Sequence, residues 1–541
     1  MKVLIVGTGI SGLSAAVALA SRGEDVIMIS PFPSERAQSV MAAGGINAVD
    51  EESEDSFEAH IGDTLKGGRF IAGKEAVKGL CEAAPSVIRE LEQMGTVFAR
   101  DENGKIRRRA FGGQSFDRTC YSGTSTGKQI VTALRRELRR YESQGKAEIR
   151  LGTDFHSALI EDGRCYGILA YDERYASLAP IYADAVIIAS GGQNALYGKT
   201  TGSTACDGYT AGRLFMQGAV LKNPEFVQFH PTTYVTPQKN MLISEAARGE
   251  GGRLFYVKDS KRVYFMEDLF GPKGNLMPRD VVSRSIFNTG EKVFLDVSFL
   301  GGKKIRERML ETYELCMKYG GLDITEEPIP VTPSVHFFMG GLAVDNGHMT
   351  NIDGLYAAGE CASIYHGANR LGGNSMLAAF YGGKVAAGSI IEREEKREAP
   401  LFDGFIRDQE KAFNKILSSS GRKPVTDIRS KLAQAMKGSM GIIRNGKDLE
   451  DGINVLDGLI GQVREDEFDS SLLPYFTYST EAIVVLGKAA MTAALARTES
   501  RGAHQRSEYK EEKDEFCAAT LISYDGGRLS VSYDKEGRYE H

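Results

Sequence analysis

The sequence predicts an α/β chain: a discontinuous Rossmann-like dinucleotide-binding domain, an inserted α+β domain and a C-terminal helical domain. Three observations carry this expectation. A glycine-rich turn, Gly7-x-Gly9-x-x-Gly12, follows an apolar run and opens a helical pattern. Two more apolar runs ending in glycine lie far downstream, at residues 185–189 and 354–359. Beyond about residue 395 the hydrophobic spacing becomes that of long amphipathic helices.

Taken in order, residues 3–6 read as a buried parallel strand, 11–21 as a helix and 26–29 as a second strand, a βαβ unit. The runs at 185–189 and 354–359 belong to the same sheet only if another domain is inserted, and residues 234–333 are the candidate insert. The expected limits are therefore 1–233 and 334–395 for the two parts of the dinucleotide domain, 234–333 for the insert, 396–510 for the helical domain and 511–541 for a tail. Helices are expected at 428–443, 449–463 and 478–498. In the tail, Leu521, Ser523, Leu529 and Val531 alternate around Asp525-Gly526-Gly527, a hairpin signal.

A chain of 541 residues exceeds one simple core. The net charge of −6 weighs against a nucleic-acid partner. The seven cysteines show neither C-x-x-C nor cluster spacing, so no metal is expected, and they read as reduced thiols of a cytoplasmic protein. No run of eighteen apolar residues suggests a membrane span. The N-terminal apolar stretch is interrupted by Gly7, Gly9 and Gly12, so it reads as a strand and not a signal segment.

In the glycine motif, Gly7 allows the tight turn, Gly9 lets backbone approach a pyrophosphate, and Gly12 lets helix and strand pack. Ile10 and Ser11 open the helix whose positive end faces the phosphates. The second strand ends in Ser30-Pro31 where a nicotinamide-binding fold usually has an acid; a Ser30 hydroxyl can still bond a ribose, but NAD is disfavoured. Ala43, Gly44 and Gly45 offer a second place where backbone can approach a flat ring.

Further along come Phe226-Val-Gln-Phe-His230-Pro-Thr, Ser244-Glu245-Ala-Ala-Arg248, Pro278-Arg279-Asp280, His336-Phe-Phe-Met-Gly340-Gly341 and Asn369-Arg370-Leu-Gly-Gly-Asn374-Ser375. This ordered set resembles the flavoprotein subunits of succinate dehydrogenases and fumarate reductases, a superfamily shared with L-aspartate oxidase; the likeness runs to about Tyr509 and includes Glu499-Ser-Arg-Gly-Ala-His504. It implies FAD as cofactor, a capping role for the insert, and hydride exchange between flavin N5 and a four-carbon dicarboxylate. Arg370, His230, His336 and Ser244 would bind the carboxylates; arginine presents a planar fork suited to that task. Arg279 would deliver the proton, replenished through Glu245 and Arg248. Further FAD contacts are expected at Ser39, Gly191, Asp207 and Glu360, and at Asn374, Ser375 and Met376, whose helix would point its positive end at the flavin.

Relatives that attach FAD covalently do so through a histidine in a stretch matching residues 37–40. Gln38 stands there, so the FAD is expected to be non-covalent, which leans toward fumarate reduction. The rival, L-aspartate oxidase, needs a charge for the substrate ammonium; Phe111 supplies an apolar wall instead and favours fumarate or succinate. A non-catalytic flavin subunit would have lost Arg279, His336 or Arg370. An iron–sulfur subunit or another electron carrier is the expected partner, with the chain free in the cytoplasm or held at the inner membrane face through partners.

Overall fold

The structure is a computed structural model that describes all residues except 124, 238–239, 394–395, 397, 420–423, 466–467, 469–473 and 535–541. Its centre is a parallel sheet in the order Leu355–Ala357, Ala185–Ile188, Lys2–Val6, Asp25–Ser30, Ala147–Leu151. The two downstream runs thus pair beside the N-terminal βαβ unit. Val3, Leu4, Ile5, Val186, Ile187 and Ile188 are fully buried, which is why these strands read as continuous apolar runs. Helix Ile10–Ser21 packs on helices Thr126–Ser143 and Asn374–Arg393. A three-stranded antiparallel sheet, Thr153–Glu161, Arg164–Asp172 and Ser177–Tyr182, packs on the central sheet.

The insert is built on a six-stranded antiparallel sheet, ordered Asn240–Leu242, Val227–Val235, Ile329–Phe338, Val293–Asp296, Arg253–Lys258, Lys261–Val263. It has its own core, including Ile243, Leu254, Val282, Leu295 and Ile329. Strands Val227–Val235 and Ile329–Phe338 pair with each other and run across the expected limits at 233/234 and 333/334, so the joint is a strand pair and not a linker. Their register shifts between Gln228 and Phe229 and again between His230 and Thr233. Such bulges re-aim side chains, here next to the residues of interest.

Four helices follow: Asp403–Leu417, Val425–Ser439, Gly446–Glu465 and Pro474–Ala496. The second ends four residues before the expected 443 because Arg444 is drawn away. Its N–H donates to Gln505 O (2.9 Å) and its buried guanidinium to Glu225 O (2.8 Å). The last ends at Ala496, not 498, because Arg497 turns into a buried ion cluster. This helix has the length and mean hydropathy (1.3) of a membrane span, yet 72% of that window is buried inside the protein. It is apolar on all sides because it forms the core of the helical domain.

The tail forms the hairpin Ala519–Asp525/Arg528–Asp534, turning through Gly526 and Gly527 at φ +54° and +105°. It does not stand apart. Its first strand pairs with Leu221–Lys222 and extends a sheet that continues to Gly341–Ala343 and Ala362–Ser363.

Candidate active site

One cavity of about 480 Å³ runs from the Gly7–Ser11 turn to the inserted domain. At the first end its shape depends on missing side chains. A Cβ on Gly7 would lie 2.3 Å from Ala189 O, and one on Gly9 would press on Ser39 Oγ at 3.2 Å. Helix Ile10–Ser21 has no side-chain cap, although Ser39 Oγ accepts from Ile10 N–H (3.2 Å). Its free N-terminal donors face the cavity, as a diphosphate requires. Ala43, Gly44, Gly45, Gly191, Asp207, Glu360, Ser375 and Met376 all line the same space. Burial pushes the Glu360 carboxyl up to about 7 against the Phe338 N–H bond and the Arg370 charge, and burial also raises Asp207. Both can therefore bond ligand hydroxyls. The residues fit FAD.

Four residues of the expected set lie outside the cavity or bond within the protein, Gly12 and Arg248 in keeping with their expected packing and relay roles. Gly12 does not reach the cavity; a Cβ there would strike Gly7 O at 2.1 Å, so it serves helix–strand packing. Asn374 is a correction. Its side chain accepts from Asn47 Nδ2 (2.7 Å) and donates to Thr64 Oγ1 (2.9 Å), in a buried network turned away from the cavity. Arg248 lies behind the wall, donating to Asn275 O (2.6 Å). Ser30 lines the cavity, but its hydroxyl donates to Phe32 O (2.7 Å) within its own turn.

At the other end, strands Val227–Val235 and Ile329–Phe338 bring His230 and His336 to a ring-centroid distance of 5.1 Å. Arg279, at the start of helix Arg279–Thr289, donates from Nε to Glu245 Oε2 (2.8 Å) and from Nη1 to Gln228 Oε1 (3.2 Å). Arg370 donates to the same Gln228 oxygen (2.9 Å) and stacks over Phe337 at 4.4 Å, while its Nε has no partner. Glu245 also pairs with Arg248 (3.2 Å) and accepts from Gly112 N–H (2.9 Å). Burial would raise its carboxyl, but Arg279, Arg248 and the Gly112 N–H together hold it down at about 2. Burial, with the nearby arginines, holds His230 and His336 well below the usual imidazole range, so both are neutral. Phe111 and Ser244 complete the wall.

The expected residues His230, Ser244, Glu245, Arg279, His336, Arg370 and Phe111 are thus together. Sequence reasoning misses Gln228, although it stands two positions before His230, where a strand presents the same face. Thr201, 2.8 Å from His336 Nδ1, carries no linear signal, while His366, which lines the cavity, directly precedes the Gly367–Arg370 motif but is given no role by sequence reasoning.

A dinucleotide cradle continuous with a buried pair of arginines, a carboxylate and two imidazoles defines an oxidoreductase that works on a bound dinucleotide. Comparison narrows the class. Residues 2–376 match the family described as FAD binding domain and residues 429–538 the family described as fumarate reductase flavoprotein C-term. The chain is 37% identical to a succinate dehydrogenase flavoprotein subunit of Bacillus subtilis, covering 96% of this chain and 93% of that one. It is 32% identical to a fumarate reductase flavoprotein subunit of a Serratia species, covering 96% of this chain and 92% of that one. An E. coli quinol fumarate reductase chain matches with TM-score 0.91 at 29% identity over 100% of this chain and 97% of that one. The protein belongs to the succinate dehydrogenase/fumarate reductase flavoprotein family and binds FAD.

Proposed function

We propose that the protein reduces fumarate to succinate, with Arg279 as the proton donor. The observation that carries this reading is the Gln228 bridge, which holds Arg279 and Arg370 on one amide oxygen beside two neutral imidazoles. Two cations and two N–H donors around one small cavity suit a dianion with a carboxylate at each end. Neutral imidazoles donate when Nδ1 accepts. The Thr201 hydroxyl (2.8 Å) is placed to bond His336 Nδ1, leaving its Nε2–H for a substrate oxygen, while His230 Nδ1 faces both Thr232 O (3.1 Å) and Thr232 N–H (3.3 Å), and only the second bond leaves its Nε2–H free to donate.

FAD, when bound and reduced by its electron donor, would supply the electron pair, as hydride, for one carbon of the double bond. Arg279 then gives a proton to the other carbon. A guanidinium is a weak acid, so the step needs an immediate replacement. Glu245 is suited to supply it. Its low value depends on charged Arg279; once Arg279 loses its proton, that stabilisation disappears and the carboxylate becomes basic enough to receive a proton from Arg248 and pass it on. Burial lowers Arg248, which favours its release of a proton.

Phe111 is 3% exposed and lines the cavity as an uncharged apolar wall, which supports a substrate without an ammonium group over L-aspartate. The reading is tested by reducing the flavin without oxygen and adding fumarate, and by offering the oxidised enzyme succinate and L-aspartate. Fumarate is expected to reoxidise the flavin and succinate to reduce it slowly. Reduction by aspartate with no response to fumarate would assign the site to amino-acid oxidation.

The FAD is held without a covalent bond in this reading. Gln38 lines the cavity where a histidine would be needed, and its Oε1 accepts from Ser203 N–H (2.6 Å). Acid precipitation is expected to leave all yellow colour in the supernatant; colour in the pellet would contradict it. Electron delivery is assigned to an iron–sulfur subunit or another carrier, with the chain in the cytoplasm or at the membrane face through that partner.

A further inference from the structure

The cavity has a third region that neither the glycine motif nor the arginine cluster uses. In a dinucleotide fold the ribose lies at the end of the second strand. Here that strand ends at Ser30, and the cavity wall continues beyond it through Phe32, Pro33 and Arg36. Ser30 pairs with Leu151, and three residues further on Asp154 enters the same wall. Tyr475, from the first turn of helix Pro474–Ala496, also lines it.

Asp154 accepts from its neighbour's N–H at Phe155 (2.8 Å), and Tyr475 lines the same stretch of cavity wall. Burial, with a smaller effect from the Asp207 charge, pushes its carboxyl up to about 7. Asp207 faces Arg429 of helix Val425–Ser439 at 3.6 Å. Arg429 is fixed in turn by Thr480 Oγ1 (3.1 Å) and by stacking over Phe476 at 4.4 Å. One half-buried and one buried carboxyl of the dinucleotide domain therefore each share this wall with a side chain of the helical domain, Asp154 with Tyr475 and Asp207 with Arg429. Nothing in the substrate end of the cavity requires this.

We propose that the C-terminal helical domain completes the adenosine end of the FAD site, with Tyr475 orienting Asp154 onto the adenine amine and Arg429 holding Asp207 for the ribose hydroxyls. The chemistry matches: an exocyclic amine and vicinal hydroxyls are donors and need acceptors. Arg429 also offsets the Asp207 charge, which would otherwise oppose the diphosphate. The inference rests on FAD binding and is independent of which substrate is reduced.

The test compares two ligands that differ only by the adenylyl half. Dissociation constants for FAD and FMN are measured by flavin fluorescence on the full-length chain freed of cofactor, for wild type, Asp154→Asn and Tyr475→Ala. Each substitution is expected to weaken FAD by roughly tenfold, the loss of one well-placed hydrogen bond to a buried group, and to leave FMN within about twofold. Tyr475→Phe, which removes only the hydroxyl, keeps the test decisive where the alanine variant fails to fold. Equal weakening of FAD and FMN, or no weakening of FAD, overturns the proposal.

Discussion

Replacing Arg279 with lysine is expected to lower kcat for fumarate reduction by roughly 10³-fold while KM changes by less than about tenfold. Lysine keeps the positive charge for the substrate. It cannot keep the fork that reaches Glu245 Oε2 and Gln228 Oε1 at once. Proton delivery is used only in the transition state, so its loss falls on kcat rather than on binding. Steady-state rates with a reduced dye measure both constants. A variant that keeps wild-type kcat would remove Arg279 from its role. Glu245, held at about 2, stays charged around neutral pH, and the two histidines, held well below the usual imidazole range by burial and the nearby arginines, stay neutral as pH rises above that range. A pH–rate profile should therefore show no step from these groups as pH rises from about 7.

The largest loss of stability is expected from Arg497→Leu. Arg497 is fully buried and spends its donors on Glu225 Oε1, Glu499 Oε1, Phe516 O, Ala518 O and Thr520 Oγ1, at 2.7–2.8 Å. Removing it strands Glu225, also fully buried, and frees the carbonyls that tie the hairpin to the last long helix. Breaking a buried pair from one side costs about 3–5 kcal/mol. Chemical denaturation should show that loss, with the C-terminal hairpin opening first in hydrogen exchange. A change below about 1 kcal/mol would mean that the cluster contributes little beyond its own desolvation cost.

The sheet, the insertion and most of the active-site residues were legible because their chemistry is written in short linear stretches. Gly7-x-Gly9-x-x-Gly12 announces a strand, a turn and a helix within a dozen residues. The arginines and histidines each lie in a motif of their own. What was not legible arises from pairings across long separations. Gln228 bridges the two arginines because strand Val227–Val235 meets Arg279 and Arg370 across long stretches of sequence. Asp154 and Tyr475 meet across some three hundred residues, which no local pattern records. Asn374 shows the converse error. Its place at a helix start is as expected, but the rotation of that helix commits its side chain to Asn47 and Thr64. Two helix ends were overextended because hydrophobic period carries no information about Arg444 and Arg497, whose buried charges pull the chain out of the helix.

In the proposed reaction two cationic groups clamp both ends of one small dianion beside the flavin. The most direct measurement is the rate at which flavin, reduced under anaerobic conditions, is reoxidised by fumarate and by crotonate, which has the same double bond and one carboxylate fewer. A site built to bond the missing group should reject crotonate by on the order of 10⁴-fold. Comparable rates for the two acids would contradict the clamp.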